Sequence, residues 1–327
     1  MSESRAGSHQ CAYGCPMPAS FVATASGGAL VQRRRLPAAF GELLPLVEDP
    51  AVTDVFANGH GEIWLDRGEG LIRVPVLLTE ARLRELAVRL MSLGGRHIDE
   101  ASPCVDVRIA GGIRVHAVLE PISPRGTLLS IRLPSLARIE VTDSRLIALV
   151  AARENLLIAG AGGSGKTTLL AALLSLAAPT ERIVAIEDVA ELRVEHPHFV
   201  SLEARQANLE GVGEVSLSRL LREALRMRPD RLVLGECRGA EIRELLSALN
   251  TGHDGGAGTL HANSLADVPA RLEAVGALAG MSEAAVARQA VSAIGAVVHL
   301  VREGTERRVQ AIGRLRVERG RLMIDEL

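Results

Sequence analysis

Two rhythms of hydrophobic and polar positions divide this chain, with the change near residue 140. In the first part, residues 52–58 and 62–66 alternate with a period of two on either side of Asn58-Gly59-His60-Gly61, which predicts paired strands. Residues 79–93 place Leu83, Leu86, Leu90 and Leu93 at helical spacing behind Thr79, a residue suited to cap a helix. Residues 105–109 and 113–119 read as a hairpin across Gly111-Gly112, residues 128–132 as one more strand, and residues 40–47 as helical. This mixture predicts a small α+β domain over residues 36–134. Residues 135–142 read as a linker. Beyond it the pattern becomes strand, loop, helix, repeated. Apolar runs at 156–159, 183–186, 199–202, 232–234 and 258–261 predict core strands, and residues 167–178, 217–227, 240–250, 266–279 and 282–293 predict helices. Residues 143–327 are therefore expected to form an α/β domain around a parallel sheet. Residues 1–35 are rich in Gly, Ser, Ala and Pro without periodicity and read as a disordered tail.

Composition narrows the functional classes. Aromatic residues make up only 2% of the chain against 47% hydrophobic residues overall, so the cores must be packed with Leu, Val, Ile and Ala. The formal net charge of -2 predicts no bulk attraction to nucleic acid or anionic lipid. No apolar run reaches the roughly 18–20 residues that a membrane span needs, and no charged-then-apolar leader opens the chain, so a cytoplasmic location is expected. The four cysteines, Cys11, Cys15, Cys104 and Cys237, form no disulfide framework. His9, Cys11 and Cys15 could supply three zinc ligands, but no second ligand pair follows at the usual spacing; a plain tail is the competing reading.

The chemistry concentrates around a single lysine. Of the 37 lysines and arginines, only Lys166 is lysine. It stands in Gly160-Ala161-Gly162-Gly163-Ser164-Gly165-Lys166-Thr167, followed by Thr168, which fits the phosphate-binding pattern G-x-x-x-x-G-K-[ST] at every defined position. A compact ammonium suits a phosphate chain where a planar guanidinium would not. The loop's N–H groups and the following helix N-terminus suit an anion, Lys166 would bridge the β- and γ-phosphates, and Thr167 would offer its hydroxyl to Mg²⁺. ATP and Mg²⁺ are the implied ligands. Hydrolysis also needs an acid at another strand end. Leu232-Val233-Leu234-Gly235-Glu236 supplies Glu236 to orient or deprotonate water, and residues 183–186 lead into Glu187-Asp188, which could hold the metal's water shell. His253 and His261 flank a glycine-rich strand; His261 could sense the γ-phosphate or simply be structural. Seven arginines between 219 and 243 interleave with acids, and most are expected to be paired or solvated.

In this order, these elements resemble the traffic ATPases of type II and type IV secretion and pilus assembly, the tight-adherence pilus subgroup in particular. The resemblance rests on residues 225–241, on Asn250-Thr251-Gly252-His253-Asp254 and on Thr259-Leu260-His261-Ala262-Asn263-Ser264. It implies a RecA-like P-loop ATPase domain preceded by the smaller α+β domain. It also implies that Ile186-Glu187-Asp188 is an acidic box, that glycine before Glu236 is normal, and that residues 252–261 form a histidine box. Residues 112–116, with Arg114, and residues 130–132, with Arg132, match arginine-bearing segments that reach the nucleotide. A homohexameric ring is implied, peripheral on the cytoplasmic face of the inner membrane and docked on polytopic platform proteins. One departure is the run Asp254-Gly255-Gly256-Ala257-Gly258-Thr259, where extra glycine is expected to loosen the strand. A nucleic-acid motor and a non-hydrolysing ATP-binding subunit are the rival readings. The negative net charge, scarce aromatics and lack of a basic stripe speak against the first, and the filled catalytic positions against the second.

Overall fold

The computed structural model describes residues 20–21, 38–68, 70–109, 112–134, 139–205, 213–304 and 306–327. After the two-residue strand β1 (Ser20–Phe21) and a 3-10 segment at Ala38–Leu43 come α1 (Leu44–Glu48), β2 (Asp54–Asn58), β3 (Glu62–Asp66), β4 (Leu71–Leu77), α2 (Glu80–Leu93), β5 (Cys104–Ile109), β6 (Ile113–Val118) and β7 (Leu128–Arg132). Strands β2 to β7 make a six-stranded antiparallel sheet in the order β4-β3-β2-β7-β6-β5. Its alternating positions, among them Val55, Ile63, Leu65, Val107, Val115 and Ile131, bury one face against Leu83, Leu86 and Leu90 of α2 and against Phe40 and Leu43. The Thr79 hydroxyl accepts from the Arg82 N–H at 3.4 Å, the cap that its position predicts.

The rest of the chain contributes α3 (Ser144–Ala151), β8 (Leu156–Gly160), α4 (Lys166–Ser175), β9 (Ile183–Glu187), β10 (Phe199–Glu203), α5 (Leu217–Leu225), β11 (Arg231–Cys237), α6 (Ile242–Leu249), β12 (Ala257–His261), α7 (Val268–Leu278), α8 (Glu283–Ala293), β13 (Ala296–Glu303), β14 (Glu306–Glu318) and β15 (Arg321–Glu326). The central strands run parallel in the order β13-β8-β12-β11-β9-β10. They are buried on both faces: Leu157, Ala159, Val184 and Leu234 pack with α5 to α8, whereas Ile158, Ile183 and Val233 pack with α3 and α4. This is the expected RecA-like α/β domain after a smaller α+β domain. The sheet is mixed rather than purely parallel, because β14 and β15 extend it antiparallel beyond β13. Those three C-terminal strands, together with β4 and α3, lie outside the elements that the sequence pattern predicts.

At the amino ends of the central strands, Arg231, 4% exposed, pairs with Glu181 and donates to the carbonyls of Val150 (3.1 Å) and Gly255 (3.3 Å). Arg153 completes the network with Glu181 at 2.8 Å and with the Asp230 and Asp254 carbonyls. This network accounts for the glycine-rich run before β12. Gly255 has φ +81°, and a Cβ there would come 2.8 Å from the Arg231 guanidinium; a Cβ on Gly256 would come 2.8 Å from the Leu232 carbonyl. These glycines permit close packing, and β12 is hydrogen-bonded to a neighbour on both sides, so the expected loosening does not occur. The residues at 9, 11 and 15 and residues 135–138 of the segment 135–142 fall outside the described residues.

Candidate functional site

Strand β8 is fully buried and delivers the chain at Gly160 into a loop that closes on α4 at Lys166. Gly165 holds the turn in the left-handed region at φ +93°, where a side chain is disfavoured. The first turn of α4 presents Lys166, Thr167 and Thr168. A helix start leaves N–H groups without intrahelical partners, and together with the helix dipole they favour an anion. Lys166 is only 9% exposed, and its ammonium donates to the carbonyls of Gly160 and Ala161, both at 2.9 Å. Burial lowers its pKa, and the nearby Glu236 carboxylate opposes that shift. The buried Ser164 hydroxyl has no hydrogen-bond partner.

The other candidates occupy the carboxyl ends of successive strands beside this loop. His261 ends β12 in register with Gly160. Its ring lies 3.5 Å from where a Cβ on Gly162 would stand, and its Nδ1 is 3.6 Å from Glu236 Oε1. Burial, Lys166 and Arg271 push the His261 pKa down while Glu236 pulls it up, so the neutral imidazole prevails and its contact with Glu236 is polar rather than ionic. Glu236 stands near the end of β11. One strand further, Glu187 ends β9, 3% exposed, with Oε1 accepting from the Glu191 and Leu192 N–H groups at 2.8 and 3.0 Å. Its Oε2 is buried without a partner, and burial raises its pKa. The glycine before Glu236 follows from this arrangement, because a Cβ on Gly235 would come 2.7 Å from Glu187 Cγ. Asp188 is instead ion-paired with Arg238.

Lys166, Glu236 and His261 are thus brought together beside the loop, and Glu187 packs against Gly235 next to Glu236. Arg114 and Arg132 are cross-strand neighbours on β6 and β7, and Arg108 on β5 continues the row. Arg114 pairs with Glu191 at 2.8 Å, and Arg108 pairs with Glu203 and donates to the Ala190 carbonyl. Arg114 therefore reaches Glu187 through the backbone that caps it. His253 Nδ1 lies 3.0 Å from the Ala248 carbonyl near the end of α6, away from the loop. Of the seven arginines at 219–243, Arg222, Arg226, Arg231 and Arg238 are ion-paired.

Two residues beside the loop escaped the sequence reading. Arg302 lies one residue before the end of β13 and Arg307 one residue after the start of β14; Arg307 Nε donates to the Gly163 carbonyl at 3.3 Å. The alternation along 306–318 is the sequence signal that could have revealed their hairpin. Thr167 and the unpartnered Glu187 Oε2 are oxygen donors of the kind Mg²⁺ takes, and fit an ion carried in with a nucleotide and its water shell. Among the described residues no group of three or more His, Cys, Asp and Glu is placed to hold a metal, and no helix is long and apolar enough to cross a membrane.

Comparison with known proteins places the chain in a family and agrees with its fold. A putative conjugal transfer protein of Mycobacterium tuberculosis is 46% identical over 302 residues, covering 86% of this chain and 86% of that protein. The type IV secretion system protein PtlH of Bordetella pertussis is 34% identical over 263 residues, covering 68% of this chain and 76% of its own length. The solved structure of the pilus retraction motor PilT with bound ADP aligns with a TM-score of 0.61 at 21% identity, over 83% of this chain and 81% of that one, and supports the fold. A family profile described as type II/IV secretion system protein matches residues 38–320, and the chain belongs to that family.

Proposed function

We propose that this protein is an ATP-hydrolysing motor that powers pilus assembly or protein secretion across the cell envelope, working in the manner of the tight-adherence subgroup. The observation that carries the reading is the buried ammonium of Lys166 at the mouth of a phosphate loop, with Glu236, His261 and Glu187 on adjoining strand ends. In this reading Lys166 leaves the Gly160 and Ala161 carbonyls to bridge the β- and γ-phosphates of ATP. Glu236 orients the attacking water and takes its proton. Neutral His261 positions Glu236 and senses the γ-phosphate. Thr167, with Glu187 acting through water, would hold Mg²⁺, which when bound neutralises charge on the phosphate oxygens.

Arg114 and Arg132 are the moving parts. Arg114, held here by Glu191 on the segment after β9, would exchange that partner for phosphate oxygens when ATP binds, and Arg132, its cross-strand neighbour, would follow it. The loss of phosphate would then let the small domain swing about residues 135–142. A homohexameric ring, peripheral on the cytoplasmic face of the inner membrane, would pass this motion to polytopic platform proteins. The mycobacterial relative's name speaks of conjugal transfer, but the net charge of -2 argues against direct contact with nucleic acid.

The test is Mg²⁺-dependent phosphate release from ATP by the full chain beside Lys166→Ala and Glu236→Gln. Activity at least 100-fold above both variants is expected, in line with roughly 10²- to 10⁴-fold for an acid–base group. A Glu236→Gln protein as fast as wild type would sink the catalytic assignment. ATP-dependent ring formation without phosphate release would favour the binding-only subunit, and strong stimulation by single-stranded DNA would favour the nucleic-acid motor.

A further inference from the structure

The strand order puts the loop between two different neighbours. On one side of β8 stand β12, β11 and β9, carrying His261, Glu236 and Glu187. On the other stands β13, in register with β8 through Leu300 and Gly160, and the hairpin from β13 to β14 carries Arg302 and Arg307 to the loop. Arg307 lies along the glycines: its Cδ is 2.8 Å from where a Cβ on Gly165 would be, and its Nε bonds the Gly163 carbonyl. An Arg302 guanidinium nitrogen lies 3.6 Å from the Cβ position of Gly163, and another donates to the Gly68 carbonyl, in the turn between β3 and β4, at 2.9 Å.

Neither arginine of this pair is matched by an acid among the described residues. The Glu303 carboxylate is taken by Arg308. Among the described residues Arg302 and Arg307 bond only backbone carbonyls. Two guanidinium groups therefore share one flank of an anion-binding loop with no carboxylate partner among the described residues. Burial and the charge of Arg302 both push the Arg307 pKa down. Like charges held together beside helix-start N–H groups suit a ligand carrying more than one negative charge.

We propose that Arg302 and Arg307 form a clamp for the α- and β-phosphates of the bound nucleotide. This assignment rests on the nucleotide reading of the site. The γ-phosphate end is marked by Glu236, which acts on Lys166 and His261 from the opposite flank of β8, so the hairpin arginines face the part of the chain that ATP and ADP share. They are binding residues for both nucleotides, whereas Arg114 and Arg132 answer to the γ-phosphate. Because Arg302 also holds Gly68, the clamp couples occupancy by either nucleotide to the small sheet.

The experiment is calorimetric titration of the full-length protein with ADP and with a non-hydrolysable ATP analogue, alongside steady-state ATPase kinetics, for wild type, Arg307→Gln, Arg307→Lys and Arg302→Gln. Thermal melting confirms that each variant is folded. Arg307→Gln is expected to weaken ADP and the analogue by the same factor, about tenfold, as loss of one charge-assisted contact of roughly 1.4 kcal/mol would do. KM for ATP should rise about as much while kcat falls less than threefold, and Arg307→Lys should recover part of the loss. Unchanged ADP affinity in Arg307→Gln overturns the clamp, whether kcat holds or falls. Wild type that binds ADP no better than Lys166→Ala would overturn the nucleotide reading itself, and the clamp with it.

Discussion

The two ends of the large sheet handle buried charge in opposite ways. At the amino end, Arg231, Glu181 and Arg153 satisfy one another and four backbone carbonyls. At the carboxyl end, a buried ammonium rests on two carbonyls, the Ser164 hydroxyl and Glu187 Oε2 have no partner, and the exposed Arg302 and half-buried Arg307 have no acidic partner among the described residues. The same chain pairs charge completely where only the fold depends on it. Single buried atoms without a partner also occur at Arg114, Gln289 and His299, but only beside the phosphate loop do such atoms gather with a buried ammonium, and unmet hydrogen-bonding capacity there is capacity for a ligand and its reaction.

The largest expected effect breaks the satisfied end. Arg231→Met leaves Glu181 with one partner and the Val150 and Gly255 carbonyls without their donor. It should cost about 3 kcal/mol, the lower part of the range for halving a buried pair, because Arg153 remains. Urea titration should show an earlier midpoint, with KM for ATP within about twofold of wild type wherever the variant is folded. A shift in KM with no loss of stability would mean that the two ends are not separable.

A smaller effect comes from disturbing the unsatisfied end without touching an ionisable group. Gly235→Ala places a methyl 2.7 Å from Glu187 Cγ, a separation that no neighbour tolerates without moving. Displacing Glu187 by a fraction of an ångström to 1 Å should lower kcat about 10- to 100-fold. ADP affinity should stay within about threefold, because the loop and Lys166 are not moved. Wild-type kcat in this variant would remove Glu187 from the mechanism.

These contrasts were only partly legible in the sequence. The loop, the Leu232 to Glu236 strand and the hairpin of β5 and β6 announce themselves through local pattern, since each depends on residues within about ten positions. The pairing of Gly235 with Glu187 is not local: it joins two strands whose adjacency comes from sheet order. The same holds for Arg302 and Arg307, which look like ordinary surface charge in an arginine-rich chain until β13 is seen beside β8. The strands β13 to β15 were missed although Val309, Ile312, Leu315 and Leu322 are buried along them: residues 296–301 are apolar except for His299 and show no period, and the alternation along 306–318 went unread. The glycines at 255 and 256 misled in the other direction. A propensity argument reads them as weakness, whereas packing against Arg231 and Leu232 requires them.

The smallest effect gives the comparison its sign. Burial raises the Glu187 carboxyl above its ordinary value, so as pH rises the unfolded chain ionises first. The stability gained by keeping the group neutral is present below the unfolded-state pKa and is lost as pH rises through the folded-state value. At neutral pH Glu187 therefore costs stability. Glu187→Gln keeps an oxygen for the Glu191 and Leu192 N–H groups and removes the charge. It should melt about 2–4 °C higher at pH 7, the shift that roughly 1 kcal/mol produces in a domain of this size. The gap should close near pH 4, where both chains carry a neutral group, and ATP hydrolysis should fall at every pH. A variant more stable and less active would show that this carboxylate is kept at the expense of the fold. One that melts lower at pH 7 would show that the ionised group has found a partner in the protein, and the contrast between the two ends would then narrow to Lys166, Ser164 and the hairpin arginines.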